Sequence, residues 1–232
     1  MHNNRYTFLF AIGISCITAV ILVLTSQTLK PLQEVNIALD KKSSILKSVG
    51  IYTTESAEIE SIYNSSVTEM VVNSQGEVLE ALNADKIQMK NEVKKADAER
   101  SLPLYVYNGE DGKYYIVPMY GVGLWGPIWG YVSIQDDFNT VNGSFFDHKG
   151  ETPGLGAEIS EIAFQDQFKG KKMLNDQNNF ISVHVVKSSA KVEYGNEHRV
   201  DAISGGTITS VGVDEMIANC VEPYYAYFQT LK

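Results

Sequence analysis

Apolar and polar positions divide the chain at about residue 30. From Tyr6 to Leu29 no charged residue occurs, and Phe8 to Leu24 is apolar apart from Ser15 and Thr18. As a helix, that run is long enough to cross roughly 30 Å of hydrocarbon. It exceeds the core of a cleaved signal peptide, and no small-x-small cleavage site follows it. We therefore expect a tail over 1–6, a transmembrane helix over 7–29, a juxtamembrane helix over 30–50 and a globular domain over 51–232. Pro31 suits a first helical turn, and Leu32, Val35, Leu39, Leu46 and Val49 recur at helical spacing up to Gly50, a suitable C-cap.

Beyond Gly50 the period shortens. Val67 to Val72 reads as a strand, and Leu104 to Tyr107 and Tyr114 to Met119 flank the turn Asn108 to Gly112 as a hairpin. Ile128 to Ile134 and Val141 to Phe146 continue the meander, and Phe180 to Val186 alternates as a further strand. Helical readings fall on Ala84 to Arg100, on Glu158 to Phe168, and on a terminal helix from Thr207 to Phe228 interrupted at Pro223. The pattern predicts an α+β domain, a mostly antiparallel sheet with flanking helices, preceded by one N-terminal transmembrane helix.

Composition narrows the function. A formal charge of -9 over 232 residues argues against a nucleic-acid partner, because phosphate binding needs clustered Lys and Arg. The two cysteines, Cys16 and Cys220, lie too far apart in kind for an intrachain disulfide, one within the apolar run and one near the end. No Cys/His cluster has metal-ligand spacing, so no metal site is assigned. The arrangement of Arg5, Lys30, Lys41 and Lys42 around the apolar run leaves sidedness open.

Three segments carry candidate chemistry. Asp201 to Ser210 leaves a strand, passes Ser204, Gly205 and Gly206, and enters a helix at Thr207. Free amides and the helix dipole at such an entrance attract anions, and glycines let a phosphate come close to the backbone. A Ser/Thr N-cap after a glycine turn explains the same residues. In His148 to Gly156, Pro153 stiffens a loop, Gly154 and Gly156 permit close approach, Leu155 offers an apolar face and Thr152 a hydroxyl, as a flat heteroaromatic ligand needs; a Pro-Gly turn capping the next helix is the alternative. Glu151 reads either as a ligand residue or as a solvated carboxylate. Tyr120 to Tyr131 is dense in glycine and aromatic rings; Trp129 and Tyr131 suit the core, and Trp125 suits either core or ligand. Lys187 follows a strand, where it is either solvated or placed to offset charge on a bound group.

These segments resemble a known family. Asp201-x-x-Ser204-Gly205-Gly206-Thr207 is similar to the flavinylation motif Asp-x-x-Ser/Thr-Gly-Ala-Thr, with Gly206 in place of alanine, and residues 151–156 resemble its Glu-Thr-Pro-Gly-Leu-Gly loop. Both belong to the FMN-binding domain family shared by the C subunits of Na⁺-translocating NADH:quinone oxidoreductases and the G subunits of Rnf electron-transport complexes. Residues 120–131 and 29–34 look closer to the first branch, and the likeness extends over nearly the whole chain.

The resemblance implies FMN joined by a phosphoester to Thr207 by a separate flavin transferase, with Thr209, two residues past the motif position, as the alternative acceptor and Asp201 as a recognition or base-assisting residue. It implies flavin contacts at Ser204, Gly205, Gly206, Glu151, Thr152, Gly154, Leu155, Gly156, Trp125 and Lys187. It also implies an electron-relay subunit, inactive alone, that meets other subunits of a membrane NADH:quinone reductase and the lipid of the bacterial inner membrane. Its C-terminal domain would be periplasmic. An Rnf-type subunit and an anchored domain without a redox group stand as alternatives.

Overall fold

In the computed structural model, residues 4–190 and 195–232 are described, so the first half of the expected tail over 1–6 lies outside the described residues. One helix, α1 (Asn4–Ser48), runs through both segments expected to be separate, with Pro31 inside it. Pro31 thus removes one internal hydrogen bond instead of opening a second helix. Among the described residues, α1 is the helix long and apolar enough to span a membrane. The chain divides into two compact units, the second being Lys42–Lys232. The last turn of α1 belongs to this second unit: Ile45, Leu46 and Ser48 are buried, and the Ser48 carbonyl accepts a hydrogen bond from Ser133 Oγ.

The second unit begins with α2 (Ser56–Ser66). This helix was not expected, although Ile59 and Tyr63, four residues apart, are its buried positions. Five antiparallel strands follow in sequential order: β1 (Val67–Asn73), β2 (Ser101–Gly109), β3 (Gly112–Val122), β4 (Pro127–Gln135) and β5 (Val141–His148). The expected hairpin is present but tighter, with Gly109 paired to Gly112 and Gly112 at φ +139°.

Two helical expectations give way to short pieces. Residues 84–100 form 3-10 turns at Ala84–Lys86 and Asp97–Glu99 around α3 (Met89–Glu92). Burial of Glu92, whose carboxylate accepts from Lys95 Nζ and Ser101 N at 2.8 and 2.9 Å, outweighs helix propensity there. Residues 156–168 break likewise around α4 (Ile162–Gln165), where buried Gln165 Nε2 donates to the Phe146, Ile159 and Ser160 carbonyls.

The strand expected from Phe180 to Val186 shrinks to β6 (His184–Val186), because Ser182 sits at φ +69° and breaks it. β6 pairs in parallel with β7 (Arg199–Asp201), a contact that antiparallel reading missed. From β7 the chain turns into α5 (Thr207–Val221), then through a 3-10 turn carrying Pro223 into α6 (Tyr225–Thr230).

α5 lies on β3 at glycine contacts. A Cβ on Gly121 would sit 2.8 Å from Met216 Cβ, and one on Gly212 would strike the Val122 carbonyl. Asp214 of α5 holds β6, accepting from Val185 N at 2.8 Å and lying 3.3 Å from His184 Nδ1. Hydrogen bonding to Asp214 raises the His184 pKa above its ordinary value, against the opposing effect of burial. At the far end, Tyr115, Phe138 and Phe228 pack with ring centroids 5.0 to 5.6 Å apart, and Tyr225 joins Phe228 edge-on.

Candidate functional site

The residues before α5 explain its entrance. Gly206 N donates to the Ile203 carbonyl at 3.1 Å, closing a turn that Gly205 permits at φ +77°. A side chain at Gly205 would meet Leu155 Cδ2 at 2.6 Å, so the turn and the 148–156 loop are in contact. The N-cap is Gly206, and no side chain caps the helix. First-turn amides without a cap are open donors in a positive field. Of the two readings of this segment, the side-chain cap is not the one adopted.

Leu124, Trp125, Glu151, Thr152, Leu155, Gly156 and residues 205–209 line one cavity of about 330 Å³. Thr207 is exposed at its edge. Glu151 is buried instead of solvated, at 5% exposure. Its Oε1 accepts from Trp125 N at 2.8 Å and its Oε2 from Thr209 Oγ1 at 2.7 Å, and its own N–H donates to His148 Nδ1 at 3.1 Å. Gly154 lies outside the lining, at φ +75°, with its N–H donated to Glu158 Oε1 at 3.0 Å.

Trp125 is 68% exposed, so its indole stands in solvent beside the cavity instead of packing the sheet. Ser204 is exposed and precedes the lining residues. Asp201 and Lys187 lie elsewhere. Asp201 lines a second, polar groove with Gln167, Lys171, Ser188, Asn196, Arg199 and Val200, and accepts from Arg199 Nη2 at 3.3 Å. Lys187 is exposed after β6, where its carbonyl accepts from Ala190 N at 2.8 Å.

Two lining residues escaped sequence reading, Leu124 and Ile208, which are 52% and 57% exposed. Ile208 carried a signal: the buried apolar face of α5 includes Val213, Met216, Ile217 and Cys220, and an apolar residue off that face has no core to fill.

This donor set fits a flavin mononucleotide. Uncapped first-turn amides suit its phosphate, an exposed hydroxyl adjoins them, and Leu124, Trp125, Leu155 and Ile208 offer apolar surface to a flat ring. The fold and cavity thus define a flavin-binding α+β domain, and the FMN-binding domain family matches residues 123–222.

Relatives narrow this further. The C subunit of the Na⁺-translocating NADH-quinone reductase of Haemophilus ducreyi is 31% identical, over 96% of this chain and 93% of that protein. The same subunit of Neisseria meningitidis is 34% identical, over 91% and 87%. The crystal structure of that subunit from Parabacteroides distasonis superposes with a TM-score of 0.78 at 41% identity, covering 86% of this chain and 96% of its own. NqrC of Shewanella oneidensis superposes at 0.69 and 27%, covering 83% and 96%. The chain belongs to the family of C subunits of Na⁺-translocating NADH-quinone reductases.

Proposed function

We propose that this protein holds FMN esterified to Thr207 and relays electrons within a membrane complex that couples NADH oxidation and quinone reduction to Na⁺ export. The observation that carries the reading is the exposed Thr207 hydroxyl opening an uncapped helix at the edge of the cavity. FMN, when bound, supplies a centre that accepts and releases electrons one at a time. The α5 amides hold its phosphate, the four apolar lining residues keep water from its ring, and α1 tethers the domain at the membrane within reach of its partners.

A threonine hydroxyl needs help to attack a pyrophosphate, so attachment is assigned to a flavin transferase acting on metal-bound FAD. The Thr207 oxygen bonds to the flavin-side phosphorus, the pyrophosphate bond breaks, AMP leaves, and the hydroxyl proton passes to a base of the transferase. Asp201 lies outside the cavity lining and serves as a recognition residue for that enzyme. Ser204, between Asp201 and the lining, belongs to the same recognised segment. Lys187 and Gly154 are given no separate contact.

Coexpression with a flavin transferase, followed by denaturing electrophoresis, should leave ultraviolet fluorescence on the wild-type band and none on Thr207→Ala. A dark wild-type band would reject covalent attachment. The domain is placed on the periplasmic side; protease added to intact spheroplasts should then digest it, and its survival would reverse the orientation. Na⁺-stimulated quinone reduction by the purified complex tests the coupling.

A further inference from the structure

Two hydroxyls in the first turn of α5 differ completely in setting. Thr207 is exposed, whereas Thr209 is 1% exposed and gives its only proton to Glu151 Oε2 at 2.7 Å. The other oxygen of the same carboxylate takes the Trp125 amide. Both partners are donors, which an acceptor-only carboxylate matches and an amide side chain matches only at one of its two atoms. One buried side chain of the 148–156 loop thereby fastens the 123–126 turn and the start of α5.

The surrounding glycines belong to the same device. A Cβ on Gly123 would come 2.6 Å from Glu151 Oε1, and one on Gly156 would strike both Glu151 Oε2 and Thr209 Oγ1. The carboxylate therefore occupies a slot that exists only because these two positions lack side chains. No atom of Glu151 is needed to contact the flavin for this slot to matter: the hydrogen bond to Thr209 sets the rotation of the first helical turn, and with it the direction of Thr207 two residues earlier.

We infer that Glu151 and Thr209 are positioning residues for flavin attachment: their buried hydrogen bond sets the first turn of α5 so that Thr207 faces the transferase while Thr209 is withheld as an acceptor. The inference rests on attachment at Thr207. It differs from a bracing role in stability alone by predicting that attachment slows more than folding weakens.

The test uses the full-length chain in detergent, purified flavin transferase, FAD and Mg²⁺. Initial attachment rates are read by in-gel fluorescence, the modified peptide is mapped by mass, and thermal melts are run in parallel. Thr209→Val keeps the shape and removes the donor, whereas Thr209→Ser restores it; Glu151→Gln keeps the volume and mismatches one partner. The loss of one oriented hydrogen bond should slow attachment about tenfold in Thr209→Val and Glu151→Gln. Thr209→Ser should stay within about twofold of wild type on the same scale, and all modification should map to Thr207. In the unloaded chain, exchange of the Ser210 amide, which donates to the Gly206 carbonyl at 2.9 Å, should accelerate in Thr209→Val and not in Thr209→Ser.

A Thr209→Val protein with wild-type attachment and exchange overturns the inference, as does a Thr209→Ser protein slowed equally. If Thr209→Val does not fold, Glu151→Gln decides by the same rates. A dark wild type beside a dark Thr207→Ala overturns the parent reading, and this one with it.

Discussion

The two ends of the sheet are held by opposite means. Around α6, Tyr115, Phe138, Tyr225 and Phe228 pack ring on ring with Phe228 fully buried, so order there comes from shape and apolar area. Around the start of α5, glycines bring backbones together, one carboxylate links three segments, and Leu124, Trp125 and Ile208 remain exposed. The aromatic end commits its residues to stability, whereas the glycine end leaves surface and donors available to a ligand. Substitutions should therefore separate folding from loading according to the end they touch.

The largest expected effect is at the aromatic end. Phe228→Ala should cost about 3–5 kcal/mol in chemical unfolding, the usual range for emptying a buried aromatic site. Whatever fraction stays folded should still accept FMN; a folded but unloadable variant would erase the distinction between the ends. Gly156→Ala should cost about 1–3 kcal/mol, because the added methyl strikes two hydrogen-bonded oxygens. Attachment should suffer out of proportion to that loss, read as fluorescence per folded molecule.

A smaller effect concerns pH. His184 has a raised pKa in the fold, so its pairing with Asp214 stabilises fully below its ordinary value of 6.5 and is lost as pH rises through the raised one. Melting temperature should therefore fall modestly above pH 6.5, and Asp214→Asn should flatten that slope by removing the charge, while its remaining side-chain oxygen still accepts from Val185 N. Smallest of all is the response of Cys220. Burial pushes its thiol up to about 11, so native protein at pH 8 should leave this residue unlabelled by iodoacetamide, and labelling should appear only on unfolding.

Much of this was legible in the sequence where local pattern and final environment agree. The apolar runs Tyr114 to Met119 and Ile128 to Ile134 mark strands that do pair, in a meander that needs no distant information. Apolar spacing in α5 likewise marks a helix. Legibility failed where the burial of a polar side chain or a distant partner decides. Glu92 and Gln165 are buried hydrogen-bonding hubs that break apparent helices. The parallel pairing of β6 with β7 depends on a crossover that no local period encodes.

The site divided in the same way. The glycine turn before Thr207 is visible as composition, and so is the stiffened loop around Pro153. That Glu151 is buried between them is not visible, since its two donors are Trp125 and Thr209, 26 and 58 residues away. Asp201 and Lys187, close to the site along the chain or by analogy, line or flank a different groove.

The anchor's last turn has a practical consequence for anyone shortening this chain. Ile45 and Leu46 are buried with the domain, the Ser48 carbonyl receives the Ser133 hydroxyl, and a Cβ on Gly143 would lie 2.6 Å from that carbonyl. Cutting at Gly50, where the apolar pattern ends, would leave a greasy notch in the sheet and turn the Ser133 hydroxyl back on the Gly143 carbonyl, 3.1 Å away. A version without the long apolar stem should instead start no later than Lys42, where the compact domain begins, and so keep the buried turn.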